Sequence, residues 1–401
     1  MRPFETTVPF FDALRLTLDA ARPIARTETL PIGACDGRVV ARDVVAAIDV
    51  PSFDRAAMDG YAVRAADTTG ATAANTRALA CRARVFAGDV SPVPVGPWEC
   101  VEIATGAPLP PGADAVVMVE ETGREAGVVY VRSAVAVGQN VGARAGDVTA
   151  GAVVGRAGQT LTPAGLGALA ATGVTAVEVY VQPRVALITT GNEVAEPGTP
   201  LGPAQIYDVN QLTLAALVTR HGGEPAALRT TGDDLEALAA ALEEACRHDI
   251  GVFSGGSSVG DRDLVLDALR GRGEVLYHGI AVKPGKPTAF AVVNGVPVFA
   301  MPGNPTSCLS NGYLLLVPFL RRVARLPAWE PNVAHLPLAR AIRSPADRHQ
   351  FYTVRVVDGR VEAAFKGSSA ITSMAGADGY IEIPPGTGEL GAGTVVTVTL
   401  F

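Results

Sequence analysis

Ser254 to Leu264 reads SGGSSVGDRDL and follows an apolar run, Ile250-Gly251-Val252-Phe253. Gly255, Gly256 and Gly260 let a backbone approach a ligand closely, and Ser254, Ser257 and Ser258 add hydroxyls, as a phosphate or other anion requires. Asp261 and Asp263 then fall at or near a helix start, where one carboxylate is readily an N-cap. Asp263 with Asp233 and Glu193 offers instead the hard oxygen ligands that magnesium takes beside phosphates. Any one of them alone reads better as a cap, and the convergence of all three favours a metal and phosphate site.

Lys283 and Lys286 lie in KPGKP, whose prolines and glycine stiffen the loop, so their ammonium groups suit a phosphate. The plainer alternative is a pair of solvated surface lysines. Walker A and GxGxxG patterns are absent, which disfavours P-loop and dinucleotide chemistry. No Ser/His/Asp arrangement stands out, and of the histidines only His278 falls near these segments. Two further clusters, Pro51 to Val63 (PSFDRAAMDGYAV) and Thr105-Gly106-Ala107-Pro108, read singly as ordinary turns.

Elements that position these residues can be read from periodicity. Pro9 to Arg22 spaces Phe11, Leu14, Leu18 and Ala21 as one helical face. Val44 to about Asp147 is β-rich, with frequent Gly and Pro. Thr162-Pro163 opens a helix to Gly173. From Arg184 strands alternate with helices: strands at Val185–Thr189, Ala227–Arg229, Ile250–Phe253 and Val275–Ala281, helices at Asn210–Arg220, Asp234–Arg247 and Asp263–Leu269. Asn294-Gly295 signals a hairpin, and a last helix covers Thr306 to Ala324. This period implies a three-layer α/β domain with a mainly parallel sheet, whose strand ends would gather the polar clusters on one edge. After Pro327 the pattern is β again and predicts a terminal barrel or sandwich.

At 401 residues the chain exceeds one ordinary core. Hydrophobic residues at 48% and charged ones at 18% suit a soluble globular protein and exclude extended disorder. No apolar run reaches the ~18 residues of a membrane span. Five cysteines without CxxC spacing, and no secretory leader, point to a reduced, cytoplasmic setting without a zinc site. A net charge of −7 without basic runs argues against nucleic acid as a partner.

PSFDRAAMDGYAV, ATGAPLPPGADAVV, ITTGNEV, IYDVNQ, SGGSSVGDRD, KPGKP and MPGNP, in this order, resemble the molybdopterin molybdenumtransferase family, the MoeA-type enzymes and the carboxy-terminal domain of gephyrin. The resemblance covers essentially the whole chain. It implies a mixed helical and linking domain from 1–45 and 146–182, and a β-rich domain at 46–145. An α/β molybdopterin-binding domain at 183–327 and a C-terminal β-barrel at 328–401 complete the expectation. The implied reaction takes adenylylated molybdopterin and molybdate, releases AMP and leaves molybdenum on the dithiolene, assisted by Mg2+. The implied assembly is a homodimer with a cross-subunit site, touching the adenylyltransferase of the preceding step.

By motif, Glu193, Asp233 and Asp263 serve the metal and nucleotide, Lys283 and Lys286 the phosphates, and Asp59 and Thr105 complete the site from the partner subunit. Ser254, Gly255, Gly256, Ser257, Gly260, Pro302 and Pro305 line the substrate, Arg144 and Asp147 sit in the family's substrate-binding basic-acidic string after Asn140, and Ser368 with Lys366 matches the segment that meets the oxyanion, with Arg355 also substrate-binding. Gly142 and Ala143 replace arginines common in the family, Gly279 replaces a lysine, and Thr353 an arginine for which Arg355 is the candidate substitute. The competing readings are a carrier or scaffold that binds the pterin nucleotide without turnover, and an adenylyltransferase-like or CinA-like nucleotide enzyme.

Overall fold

Pro9, extended at φ −53°, leads into helix α1, Phe10–Asp19, and its buried face is Phe10, Ala13 and Thr17. This is a correction: the expected stripe begins at Phe11, which is 64% exposed. The helix is turned because Thr17 is satisfied in the core, its hydroxyl donating to Ala13 O and meeting Tyr277 OH, each at 2.8 Å. Phe10 stacks on His349 with ring centres 4.5 Å apart.

The computed structural model describes residues 7–232, 234–256 and 264–401. Contacts divide the chain into two units, Met1–Glu28 with Tyr180–Phe401, and Thr29–Val179. Among the described residues no helix is long and apolar enough to cross a membrane.

Valine and alanine runs build the largest sheet of the Thr29–Val179 unit among the described residues. Its strands are β1 (Gly60–Val63), β2 (Arg77–Val85), β3 (Glu99–Ile103), β4 (Ala115–Met118), β5 (Thr122–Glu125) and β6 (Val128–Val131). Their order is β4-β1-β3-β2-β6-β5. Leu79, Val101, Val117 and Val129 are fully buried against it. Helix α2, Pro163–Ala171, starts as its sequence dictates, with Thr162 accepting from Gly165 N and Pro in the first turn.

The other unit carries a sheet of six strands in the order β8-β7-β9-β12-β11-β10. These are β7 (Arg184–Thr190), β8 (Glu224–Thr231), β9 (Ile250–Ser254), β10 (Gly273–His278), β11 (Ala289–Val293) and β12 (Val296–Met301). Central strands read as continuous apolar runs because helices cover both faces. Helix α3 is Asn210–Arg220, α4 Leu235–Ala245 and α5 Leu264–Arg270. Leu187, Phe253 and Phe299 are essentially inaccessible, and each such side chain is worth roughly 1.5 to 3 kcal/mol of burial. The pairs β8–β7, β7–β9 and β9–β12 are parallel, while β12–β11 and β11–β10 are antiparallel, the former closed by the Asn294-Gly295 turn.

The expected single helix from Thr306 to Ala324 is three pieces: α6 (Pro305–Asn311), a π-helical turn over Gly312–Leu316, and α7 (Val317–Val323). Pro318 has no N–H to donate to Leu314 O, and the backbone widens ahead of it.

Beyond this lie β13 (Val333–Pro337), β14 (His349–Val357), β15 (Arg360–Ala363), β16 (Gly379–Ile383) and β17 (Val395–Leu400). Strand β14 pairs with β15 and β16, β16 with β17, and β17 with β13. A bridge from Leu338 to Val361 then brings the end of β13 back to β15.

His221, at the end of α3, is buried, and neither ring nitrogen finds a hydrogen-bond partner among the described residues. Burial first, then the charges of Arg321 and Arg220, lower its pKa to about 4. Unfolded chain takes up this proton near pH 6.5 and folded chain only near 4, so stability falls as pH drops through that window and levels below it. His221→Phe keeps a ring against Trp329, 5.3 Å away. It is expected to reduce the stability lost between pH 7 and 4.5 by about 1 to 2 kcal/mol. Urea unfolding at both pH values measures this, and an unchanged loss would assign the acid sensitivity elsewhere.

Candidate active site

Strand directions settle which edge can hold a ligand. Strands β7, β8, β9 and β12 run parallel, β11 runs against them, and β10 runs against β11, so β10 points with the first four. The turns after these five strands therefore leave from one edge, the usual ligand edge of an open α/β sheet. Five of the sequence-derived segments start there: Thr190 to Glu193, Thr231 to Asp234, Ser254 to Gly256, the lysine loop and Met301 to Pro305.

Ser254 ends β9 buried, its hydroxyl 3.3 Å from Thr189 Oγ1. Gly255 follows with φ +93°, and a Cβ there would sit 2.4 Å from Thr190 O. Only glycine fits both the left-handed backbone and that approach. Gly303 lies against Gly255 Cα at 3.3 Å, measured from where its own Cβ would be, so the β9 and β12 turns touch. Pro302 is buried beside them, and Pro305 is the first residue of α6. Ser257, Gly260 and Asp263, like Asp233, lie outside the described residues.

Lys283 and Lys286 are half-buried, with Pro284 and Gly285 buried between them. The segment Val282–Lys283 pairs in parallel with His349 and Gln350 of β14. Asn311, at the end of α6, fixes the loop from below: its Nδ2 donates to Gly285 O at 2.9 Å and to Thr288 Oγ1 at 2.6 Å. Asp347's carboxyl lies below its ordinary value chiefly through Arg348, with Lys286 adding its charge. These contacts hold the loop's backbone in place.

Ser368 joins the same region. Its carbonyl accepts from Thr306 N at 3.0 Å, and its hydroxyl accepts from Asn304 Nδ2 at 3.3 Å. Lys366 is exposed, with Nζ 3.4 Å from Thr372 Oγ1. Arg355 points from β14 to Glu362 on β15 at 3.6 Å, and Thr353 two residues before it is buried.

In the Thr29–Val179 unit, Asp59 Oδ1 accepts from Thr105 N at 2.6 Å and from Thr105 Oγ1 at 2.9 Å. Those two bonds, the backbone one first, hold its pKa below the ordinary carboxylate value. Arg144 N donates to Asp54 Oδ1 and its Nε to Asp49 Oδ2, both at 2.7 Å. Asp147 is exposed on the same segment.

Sequence reading placed Thr190 in a polar segment without a role, and gave none to Asp208, Asn210 or Asn311. Thr190 Oγ1, Asp208 Oδ2 and Asn210 Oδ1 are buried without a hydrogen-bond partner among the described residues. Asn210 Nδ2 donates to Gly303 O at 2.8 Å, which ties this group to the glycine turns. The signal was present in IYDVNQ, whose Asp and Asn are polar residues at the start of an otherwise apolar helix. A bare buried carboxylate oxygen on Asp208 and the exposed Glu193 are hard-oxygen donors of the kind magnesium takes. Among the described residues no three His, Cys, Asp or Glu side chains assemble as a metal site.

This is a multidomain mixed α/β protein in which five sequence-derived polar segments leave the carboxyl edge of one sheet. Residues 8–173 match the MoeA N-terminal region (domain I and II), 186–322 the probable molybdopterin binding domain, and 335–401 the MoeA C-terminal region (domain IV). Molybdopterin molybdenumtransferase 2 of Mycobacterium tuberculosis is 36% identical over 94% of this chain and 95% of that protein. The molybdopterin molybdenumtransferase of Haemophilus influenzae is 33% identical over 96% and 98%. The crystal structure of the molybdopterin biosynthesis moeA protein from Pyrococcus horikoshii OT3 superposes with a TM-score of 0.83 at 33% identity, covering 99% of this chain and 100% of that one. The chain belongs to the molybdopterin molybdenumtransferase family.

Proposed function

We propose that this protein transfers molybdenum from molybdate to adenylylated molybdopterin and releases AMP. The observation that carries the reading is a set of buried, unpartnered polar atoms: Thr190 Oγ1 against the glycine turn at Gly255, Asn210 Oδ1 on a residue bonded to Gly303 O, and Asp208 Oδ2 two residues before it. Such atoms cost free energy unless a ligand or an ordered water completes them. Lys283 and Lys286 are read as holding the phosphates, on a loop that Asn311 makes stiff enough to keep both ammonium groups oriented. Ser368 and Lys366 are assigned to the oxyanion. Asp59, ionised and fixed by Thr105, contributes negative charge and proton-accepting capacity.

Magnesium held by Glu193, Asp233 and Asp263 would neutralise charge on the departing phosphate. We also read the chain as a homodimer, Asp59 and Thr105 of one subunit serving the nucleotide side of the other. The domains follow the division at 1–45 with 146–182, 46–145, 183–327 and 328–401, the last as the barrel that the strand ring from β13 to β15 supports.

Anaerobic AMP release from adenylylated molybdopterin, with magnesium and with or without molybdate, tests the reading. Molybdate-dependent release is the expected outcome. Tight binding without release would replace the transferase by a carrier, and consumption of ATP with free molybdopterin would replace it by an adenylyltransferase. A stable monomer at micromolar concentration would end the cross-subunit assignment of Asp59.

A further inference from the structure

The loops that carry Asp59 are acidic: Asp49, Asp54, Asp59 and Asp147 all lie on 49–59 and 140–148, segments sewn together at Val50, Arg55 and Ala57. An anionic substrate approaching Asp59 needs a cation there. Arg144, which the motif assigns to that task, has Nε on Asp49 and is balanced by it. Other arginines of this unit are likewise committed: Arg82 to Glu99, Arg84 and Arg124 to Glu102, Arg64 to Asp67.

Arg55 is different. Its backbone is fixed on both sides, bridged to Pro108 and paired with Gly142, and the next residue, Ala56, accepts from Gly106 N at 2.8 Å. That places it between the turn of Thr105 and the segment of Arg144. Its stem crosses Gly142, where a Cβ would stand 3.4 Å from Arg55 Cγ and 3.6 Å from Nε. The residue is exposed, and its guanidinium has no carboxylate partner among the described residues.

We infer that Arg55 is the anion-binding residue of the Asp59 face, taking one tetrahedral oxyanion of the substrate through its planar fork, while Arg144 shares its charge with Asp49. The oxyanion is molybdate or a phosphate of the adenylylated pterin, and the choice between those sources rests on the function proposed above.

The test compares the intact protein with Arg55→Gln, Arg55→Lys and, as a control for lost charge, Arg156→Gln, which removes another exposed arginine of the same unit. AMP release is measured against molybdate and against adenylylated molybdopterin, and calorimetry measures binding of tungstate and of pyrophosphate. Arg55→Gln is expected to raise one KM by about tenfold or more, as loss of a charged hydrogen bond implies, with kcat within about twofold. Arg55→Lys should recover part of the loss, and Arg156→Gln none of it should show. A raised molybdate KM assigns the group to molybdate, and a raised pterin KM assigns it to the pyrophosphate link. Unchanged KM values and unchanged anion binding in Arg55→Gln, or an equal loss in Arg156→Gln, would overturn the inference. If the wild-type protein releases no AMP, the proposed reaction fails, and Arg55 is decided by the tungstate and pyrophosphate titrations alone.

Discussion

Asp59→Asn is expected to slow AMP release by about a thousandfold while leaving the thermal midpoint at neutral pH within about 2 °C of the wild type. The reason lies in how the carboxylate is held. Both bonds from Thr105 reach Oδ1, at 2.6 and 2.9 Å, and an asparagine carbonyl can accept both. The substitution therefore removes the charge and the proton-accepting oxygen but not the local structure. Since those bonds keep the pKa below the ordinary 3.8, the carboxylate is ionised throughout the neutral range, and Asp59 should contribute no acid limb to the rate above about pH 4. Its contribution to stability is present above the ordinary carboxylate pKa and is lost as pH falls through the lower folded value. Circular dichroism and single-turnover AMP release, run side by side, check both halves. Wild-type turnover by the variant would take Asp59 out of the chemistry.

Much of this architecture is legible in the sequence because its causes are local. Short apolar runs such as Val185 to Thr189, set among alternating helices, read as strands covered on both faces, and Thr162-Pro163 starts a helix by its own capping. Polar clusters after such strands could be gathered on one edge before any coordinates, since strand direction in an α/β domain carries that information. Features set by distant partners were not legible. Thr17 is buried because Tyr277, 260 residues away, meets its hydroxyl. Arg144 looks like the free cation of its loop until Asp49, 95 residues earlier, captures it. The strand Val333–Pro337 has no strong pattern of its own and exists as the partner of Val395–Leu400.

Asn311 belongs to the same class of hidden residue, and Gly285→Ala should expose its role more sharply than any change to the lysines themselves. Gly285 has φ +105°, and a Cβ would fall 2.3 Å from Asn311 Nδ2 and 2.7 Å from its Oδ1. The asparagine cannot retreat cheaply, because it is buried and bonded to Thr288 Oγ1 as well as to Gly285 O. The loop must lift instead, leaving a buried amide partly unpaired. Strain and lost hydrogen bonding together cost about 2 to 4 kcal/mol, and a midpoint about 4 to 15 °C lower follows. Lys283 and Lys286 move with the loop, so AMP release should fall roughly a hundredfold even at temperatures where the variant stays folded. Gly295→Ala is the matched comparison. It too has positive φ, +81°, but nothing lies within 4 Å of its Cβ position. That variant should lose about 1 kcal/mol and keep its activity. If both variants lost stability alike and both kept turnover, Asn311 would be a core residue that happens to lie under the loop, and the orientation of the two lysines would have to come from the pairing of Val282–Lys283 with β14.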